Sequence, residues 1–282
     1  MGGIGKDMNW FEAIVIGLVA GLTEFLPVSS VAHQSILLHI FGCKEAAGFV
    51  RLFAHIGTIV AIFISSGGFM RKLYREYQFS NSTRRRRKRE VNIQSVLDIR
   101  FVKTALIPLI IGFIFYIKTM AWESSLPIIS LCMLLNGLIL FIPTYLPRGN
   151  KDSRNMSSLD SILFGVSSAI SVLPGVSRIG TGCSVAIARG AGPQEAFKWS
   201  LLFSVPAMIV LVCFDIYAIL FGELPGMDVS LILKCFISGI FAYFGASLSI
   251  NLLKTLTIRS GLSGFSYYSW GAALFAFILY LY

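Results

Sequence analysis

Charge is what this sequence has least of. Only 13% of its 282 residues are Asp, Glu, Lys or Arg, against 55% hydrophobic residues and a mean hydropathy of +0.75. A soluble domain carries about 25% charged residues. A water-soluble protein of this size would therefore lack the polar groups to cover its surface, which excludes a soluble enzyme, a secreted disulfide scaffold and a disordered chain. Metal-binding spacing is also absent. The five cysteines (Cys43, Cys132, Cys183, Cys213, Cys235) form no cluster, and four lie in apolar stretches, as small packing residues do. The N-terminal Met1–Asp7 is too short for a signal-peptide n-region, so the first apolar segment reads as part of the mature protein. What remains is an integral membrane protein whose apolar residues fall in long runs, hence helices and not a barrel.

The positive charge that is present is concentrated. Between Arg71 and Lys103 there are eleven Lys/Arg and three Asp/Glu, so this stretch carries +8 of the net +10, including the run Arg84-Arg85-Arg86-Arg87-Lys88-Arg89. A basic loop between apolar spans is first a cytoplasmic topology signal and next a contact for anionic lipid heads, so no nucleic-acid partner is expected.

Apolar segments fall at about 10–26, 28–41, 47–69, 101–118, 126–146, 159–173, 176–190, 196–221, 229–251 and 263–282. Six of them, 47–69, 101–118, 126–146, 196–221, 229–251 and 263–282, come close to the roughly 20 residues a spanning helix needs. The other four are shorter and form two pairs, broken at Leu26-Pro27-Val28-Ser29-Ser30 and at Leu173-Pro174-Gly175-Val176-Ser177-Arg178. Short, proline-broken segments read as re-entrant hairpins, tolerated at membrane depth only when buried in protein or lining a cavity. The two breaks resemble each other, and Glu45-Ala46 and Glu195-Ala196 each precede a further apolar run.

This is an internal repeat in one polytopic domain, 1–282. Repeat 1 covers about 8–146 with the basic loop 71–100, and repeat 2 about 157–282. Loops 71–100, 147–158 and 252–262 hold the Lys/Arg (Arg148, Lys151, Arg154, Lys254 and Arg259 among them) and are placed inside. The hairpins then enter from opposite sides, and both termini are external. The expected fold is all-α, with six transmembrane helices plus two re-entrant helical hairpins in an inverted-topology repeat.

The first break reads Gly21-Leu22-Thr23-Glu24-Phe25-Leu26-Pro27-Val28-Ser29-Ser30-Val31-Ala32-His33. Proline ends the helix, so Ser29 or Ser30 begins the next one, where free N–H groups favour an anion. His33 follows the serines by three and four positions and is expected on their face. Glu24 ends the preceding helix and points into the break. A carboxylate, two hydroxyls and an imidazole can form a nucleophile–base set. The bland alternative is a capped helix with a buried Glu–His pair, but an ionisable residue inside a membrane segment is by default a functional-site hypothesis.

The second break adds a fixed positive charge, Arg178 after Ser177, flanked by Gly175, Gly180 and Gly182. A guanidinium at a helix N-terminus suits phosphate, and the glycines let backbone approach a ligand. The alternative is an Arg178–Glu24 staple between the repeats. His39 is expected at headgroup level, Glu12 at the interface, His55 near the hinge, and Asp215 and Tyr217 at an entrance or snorkelling outward. Trp10, Trp122, Tyr267, Tyr268 and Tyr280–Tyr282 fit aromatic belts.

Glu24 through His33, together with Pro174-Gly175-Val176-Ser177-Arg178, resembles the undecaprenyl pyrophosphate phosphatase (bacitracin-resistance) family. The likeness in length, repeats, basic loop and the Glu45 and Glu195 regions covers nearly the whole chain. It implies a multi-pass protein of the bacterial cytoplasmic membrane that removes the terminal phosphate from a C55 polyprenyl diphosphate. That activity recycles the carrier lipid for peptidoglycan synthesis and uses a divalent cation, Mg²⁺ or Ca²⁺.

The resemblance makes Glu24 the second acid of a Glu/Gln-x-x-x-Glu motif and a metal ligand. Ser30 becomes the nucleophile or a phosphate ligand, with Ser29 beside it, and His33 the base or alternative nucleophile. Ser177 and Arg178 become diphosphate ligands, with Gly175 and Thr23 counted among the substrate-binding residues. The partners implied are the lipid substrate and membrane lipids, with a homodimer left open. The chain departs from the family at Ala20, where the first acid falls, and at Val31, Ala32, His55, Ile179 and Gly182. Ala20 leaves a hard cation one carboxylate fewer. An acid there, four residues before Glu24, is expected to reach the same cavity. The runner-up function is a transporter that binds and flips polyprenyl phosphates without hydrolysis.

Overall fold

The computed structural model describes residues 7–43, 47–80, 93–147, 149–152, 155–221, 228–259 and 262–282. The Arg84–Arg89 run, Glu45-Ala46, Arg148 and Arg154 lie outside the described residues. Every regular element among the described residues is helical. The long elements of the first half are α1 (Trp10–Phe25), α2 (Ser30–Phe41), α3 (Ala47–Ser80), α4 (Ile93–Ile114), the short α5 (Tyr116–Met120) and α6 (Leu126–Phe141). The second half contributes α7 (Ser158–Ile170), α8 (Arg178–Ala188), α9 (Pro193–Phe221), α10 (Val229–Arg259) and α11 (Ser263–Leu281).

Five stretches are long and apolar enough to cross a membrane: Ala47–Ser65, Leu126–Tyr145, Pro193–Phe221, Val229–Leu253 and Ser263–Leu281. The expected span 101–118 differs. Its apolar helical part is only Lys103–Gly112, because Lys103 opens it and the helix stops at Ile114 before the short α5 begins. Large apolar side chains such as Ile110, Leu131, Phe244 and Leu274 are exposed on the outer surface, which suits lipid and not water.

The two halves repeat in detail. Asn9 accepts from the Glu12 amide at 2.9 Å while Glu12 accepts from the Asn9 amide at 2.7 Å, a capping box that starts α1. Ser157 and Asp160 start α7 in the same way, at matching positions. Glu12 is thus a buried cap and not merely an interfacial acid.

Each half's first helix then packs on the fourth helix of the other half, α1 on α10 and α7 on α4. A Cβ on Gly17 would stand 2.1 Å from the Ser238 carbonyl oxygen of α10, and one on Gly165 would stand 2.3 Å from the Ala105 carbonyl oxygen of α4. The same register pairs Gly245 with the α1 backbone and Gly112 with Ala169. In lipid, helices gain little from hydrophobic burial against one another, so close backbone approach at small residues carries the association.

Gly17→Ala and Gly165→Ala should each destabilise the fold by about 1–3 kcal/mol, the usual cost of overpacking a tight contact. Gly271→Ala in α11, where a Cβ meets nothing within 4 Å, should be neutral or slightly stabilising. Thermal unfolding of the detergent-purified variants checks both expectations.

Candidate active site

Proline divides both pairs of short helices. α1 ends into an extended Leu26 before Pro27, and α2 restarts at Ser30. α7 ends at Ile170, and α8 starts at Arg178 with Ser177 as N-cap, its hydroxyl accepting from the Gly180 amide at 3.1 Å. The breaks face each other. Asn136 of α6, fully buried, donates to the Pro27 carbonyl at 3.0 Å and accepts from the Ser177 amide at 2.9 Å. The Ser177 hydroxyl also donates to the Leu26 carbonyl, at 3.3 Å.

Between the breaks lies a cavity of about 30 Å³ into which Glu24, Ser29, Ser30, Ser177 and Arg178 all project. Arg178 donates to Glu24 at 3.2 Å, so the staple between the two halves is present. Ser29 has φ 68° and ψ 105°, and is the one non-glycine residue with positive φ among the described residues. Backbone strain of this kind costs about 1–3 kcal/mol and concentrates at functional sites.

Thr23 and His33 lie elsewhere, and Ser30 has other partners than expected. The His33 ring donates from Nδ1 to the Ser29 carbonyl at 2.7 Å, which leaves Nε2 to accept from the Tyr268 hydroxyl at 2.8 Å. It lines a separate, largely apolar cavity of about 640 Å³ together with Thr23, Leu26, Leu252 and Phe265. The Thr23 hydroxyl donates to the Val19 carbonyl within its own helix. The partner of Ser30 is Gln34, whose amide donates to its hydroxyl at 2.9 Å, while that hydroxyl donates to the Ala20 carbonyl at 3.1 Å. The expected Ser30–His33 couple is therefore not assembled.

The glycines also serve a different purpose. Gly175 adopts φ 118°, and a Cβ there would stand 2.7 Å from Cys132 Cβ. Gly180 approaches Leu140 and Pro27, and Gly182 approaches Ser200. They admit protein neighbours. Ala20 packs with Ala54 and Ala242, so an acid introduced there would be buried among alanines instead of entering the cavity.

A second polar cluster adjoins the first. Arg51 of α3 donates through Nε to Asp215 at 2.6 Å and through a terminal nitrogen to Glu123. The other Asp215 oxygen meets His55 Nδ1 at 2.9 Å, and Tyr116 donates to Glu123 at 3.3 Å. Asp215 is thus fully buried in an ion-pair network and does not snorkel, and His55 faces that network instead of the hinge. Glu123 and Tyr116 line the hinge cavity as well. Sequence reasoning passed over Arg51, although a charge within an apolar run is itself a functional signal. Glu123, between two apolar segments, and Asn136, inside one, gave the same kind of signal.

Comparison with known proteins adds an independent line. The chain matches the family described as Bacitracin resistance protein BacA over residues 13–275. It is 32% identical over 270 residues to an undecaprenyl-diphosphatase of Carboxydothermus hydrogenoformans, covering 93% of this chain and 94% of that protein. It is 28% identical to the undecaprenyl-diphosphatase of Alkaliphilus metalliredigens, covering 93% and 96% of the two chains. To undecaprenyl-diphosphatase 3 of Bacillus cereus it is 27% identical, covering 96% and 98%.

Asn136→Leu keeps the branched heavy-atom skeleton and removes all three of its bonds, stranding the Ser177 amide and the Pro27 carbonyl. It should cost about 2–4 kcal/mol of stability at about 1–3 kcal/mol per stranded group. Thermal unfolding set against a conservative variant at an exposed site, Leu131→Met, checks this.

Proposed function

The chain belongs to the Bacitracin resistance protein BacA family, and from that premise we propose that it is a membrane phosphatase converting undecaprenyl diphosphate to undecaprenyl phosphate, which returns the carrier lipid to cell-wall synthesis. The observation that carries the reading is the Arg178–Glu24 pair set beside Ser29, Ser30 and Ser177, where two helix starts open on one buried cavity. A guanidinium and two N-terminal helix ends are the groups a diphosphate needs, since phosphoryl transfer depends on positioning and charge stabilisation. Transport without hydrolysis is not favoured, because the relatives that match along nearly the whole chain are diphosphatases.

In the proposed reaction the Ser30 hydroxyl oxygen attacks the terminal phosphorus. The bond from that phosphorus to the bridging oxygen breaks, undecaprenyl phosphate leaves, and water then hydrolyses the phosphoserine. Glu24, in the same cavity, accepts the hydroxyl proton. Arg178 and the N–H groups at the starts of α2 and α8 balance the phosphate oxygens. Ser30 is preferred to His33 as nucleophile because Ser30 lines the cavity that also holds Glu24 and Arg178, whereas His33 lines the separate apolar one.

A hard divalent cation suits the donors. Glu24, Ser29 and Ser30 offer oxygen donors, one of them a carboxylate, and Mg²⁺ typically takes one or two carboxylates together with substrate phosphate oxygens. Glu24 would hold Mg²⁺ or Ca²⁺, and when bound the ion would neutralise phosphate charge.

We read the architecture as six spans and two re-entrant hairpins in inverted repeats, in the bacterial cytoplasmic membrane, with α4 as the shortened sixth span. The shortness of α1, α2, α7 and α8 and the matched packing of α1 on α10 and α7 on α4 support it. Both hairpins then bring irregular backbone to membrane depth only inside protein.

Purified protein should release phosphate from C55 diphosphate, faster with Mg²⁺ or Ca²⁺ than with EDTA. Ser30→Ala should lower kcat by about three orders of magnitude or more. Arg178→Lys should lower kcat/KM by tenfold or more, on the order of what a lost bidentate fork costs. His33→Gln should retain substantially more activity than Ser30→Ala. A phosphate-release assay under single-turnover and steady-state conditions reads all four.

For topology, a cysteine placed in the Arg84–Arg89 run should react with an impermeant maleimide only from the cytoplasmic side, and one at Tyr282 only from outside. Labelling of both from the same side would remove the six-span reading.

A further inference from the structure

Arg51 and its partners have no part in the reaction described above, yet Arg51 and Glu123 line a cavity next to that site. A cavity of about 160 Å³, lined by Gln34, Ser35, His39, Arg51, Glu123 and Ser124, adjoins the hinge cavity and shares Val31 and Glu123 with it. Sharing those two residues, the cavities lie side by side in one depression. Arg178 from the second half and Arg51 from the first half reach it from different elements.

The charges in and around this depression are Glu24, Glu123 and Asp215 against Arg51 and Arg178, with His55 behind Asp215. A diphosphate brings at least two more negative charges. With Glu24 already on Arg178, one guanidinium is too little for that load. Arg51 is built to supply the second. Asp215, fixed from behind by His55, holds Nε and thereby sets the plane of the guanidinium. Glu123, which lines both cavities, holds a terminal nitrogen. Arginine has five N–H donors, and among the described residues these carboxylates take two. A phosphate in the cavity that Arg51 lines would compete at the terminal nitrogens, where among the described residues the carboxylate partner is Glu123.

We propose that Arg51 is a second diphosphate-binding residue, oriented by Asp215 and held in the empty protein by Glu123, which the substrate's phosphate displaces. The inference rests on the phosphatase reading for the identity of its ligand but concerns binding alone. It differs from a simple staple between α3, α9 and the Ala121–Ser124 turn in one respect. Glu123 competes with the ligand, so removing its charge should tighten binding, and only while Arg51 is present.

The test measures binding of C55 diphosphate by the full chain in detergent with EDTA, with inorganic pyrophosphate in parallel to read the headgroup alone. Three proteins are compared: the unmodified chain, Glu123→Gln, and the charge-matched double variant Arg51→Gln/Glu123→Gln. Glu123→Gln should bind the lipid severalfold more tightly than the unmodified chain. The double variant should bind about tenfold more weakly than Glu123→Gln, as expected for one lost charge-assisted bidentate contact. A ratio between these two variants below about threefold for the lipid overturns the proposal, whatever pyrophosphate does. If the double variant does not insert, absence of tightening in Glu123→Gln alone overturns it. Failure of the unmodified chain to release phosphate would strike the phosphatase reading only, because these comparisons read affinity without turnover.

Discussion

One carboxamide holds the two helix breaks together. Asn136 gives its two N–H bonds to the Pro27 carbonyl and the Ser269 hydroxyl, and its oxygen takes the Ser177 amide. The Pro27 carbonyl and the Ser177 amide are open to it because a proline or a helix start has freed them from the helical ladder. In a buried interior, an unmet amide or carbonyl costs far more than it does at a surface. The breaks are therefore tolerable only where a side chain with donors and an acceptor stands between them. Everything chemical in the molecule follows from that seam, since Glu24, Ser29, Ser30, Ser177 and Arg178 are the residues that flank it.

The electrostatics obey the same constraint. A carboxylate or guanidinium in a low-dielectric interior must be paired, and the pairs here are Arg178 with Glu24 and Arg51 with both Asp215 and Glu123. Such pairs add little stability compared with apolar packing. Their retention makes sense where a charged ligand arrives, because the guanidinium is already desolvated and oriented, and exchanging carboxylate oxygen for phosphate oxygen leaves its charge balanced. Preassembly of this kind is how an active site lowers reorganisation at the moment of reaction.

Much of the architecture was legible in the sequence, and the illegible part has a common cause. Segment length and proline position located α1, α2, α7 and α8 to within a few residues, because a proline-broken apolar run has few alternatives. The meeting of the two breaks followed from the repeat, and the Glu24–Arg178 pair stood there as the alternative to a phosphate site. What failed was rotation about the helix axis. Ser30 and His33 share a face by spacing, but the left-handed Ser29 presents its carbonyl to His33 Nδ1 and turns the imidazole towards Tyr268. Ala20 and Glu24 share a face too, yet Ala20 falls where α3 and α10 close on α1 and leave room only for a methyl group. Arg51 was hidden for a different reason. Inside an apolar run it counts as one unfavourable residue in a span, and its partners Glu123 and Asp215 are distant in sequence, so no local pattern announces the network.

The two halves match in caps and in glycine contacts but not in the chemistry of their breaks. The first supplies Glu24, Ser29 and Ser30, and the second supplies Ser177 and Arg178. An exact duplicate would set carboxylate against carboxylate or guanidinium against guanidinium across the seam, and two like charges in so small a cavity cannot both remain ionised. The divergence of the repeats is thus required by burial alone, before any demand of catalysis. Once one break is acidic and the other basic, each half holds the counter-ion of the other, and neither can bury its own charge unaided. On the proposed reading, the same polarity would orient a diphosphate, with its oxygens drawn to the basic break and its terminal phosphorus facing Ser29 and Ser30 of the acidic one.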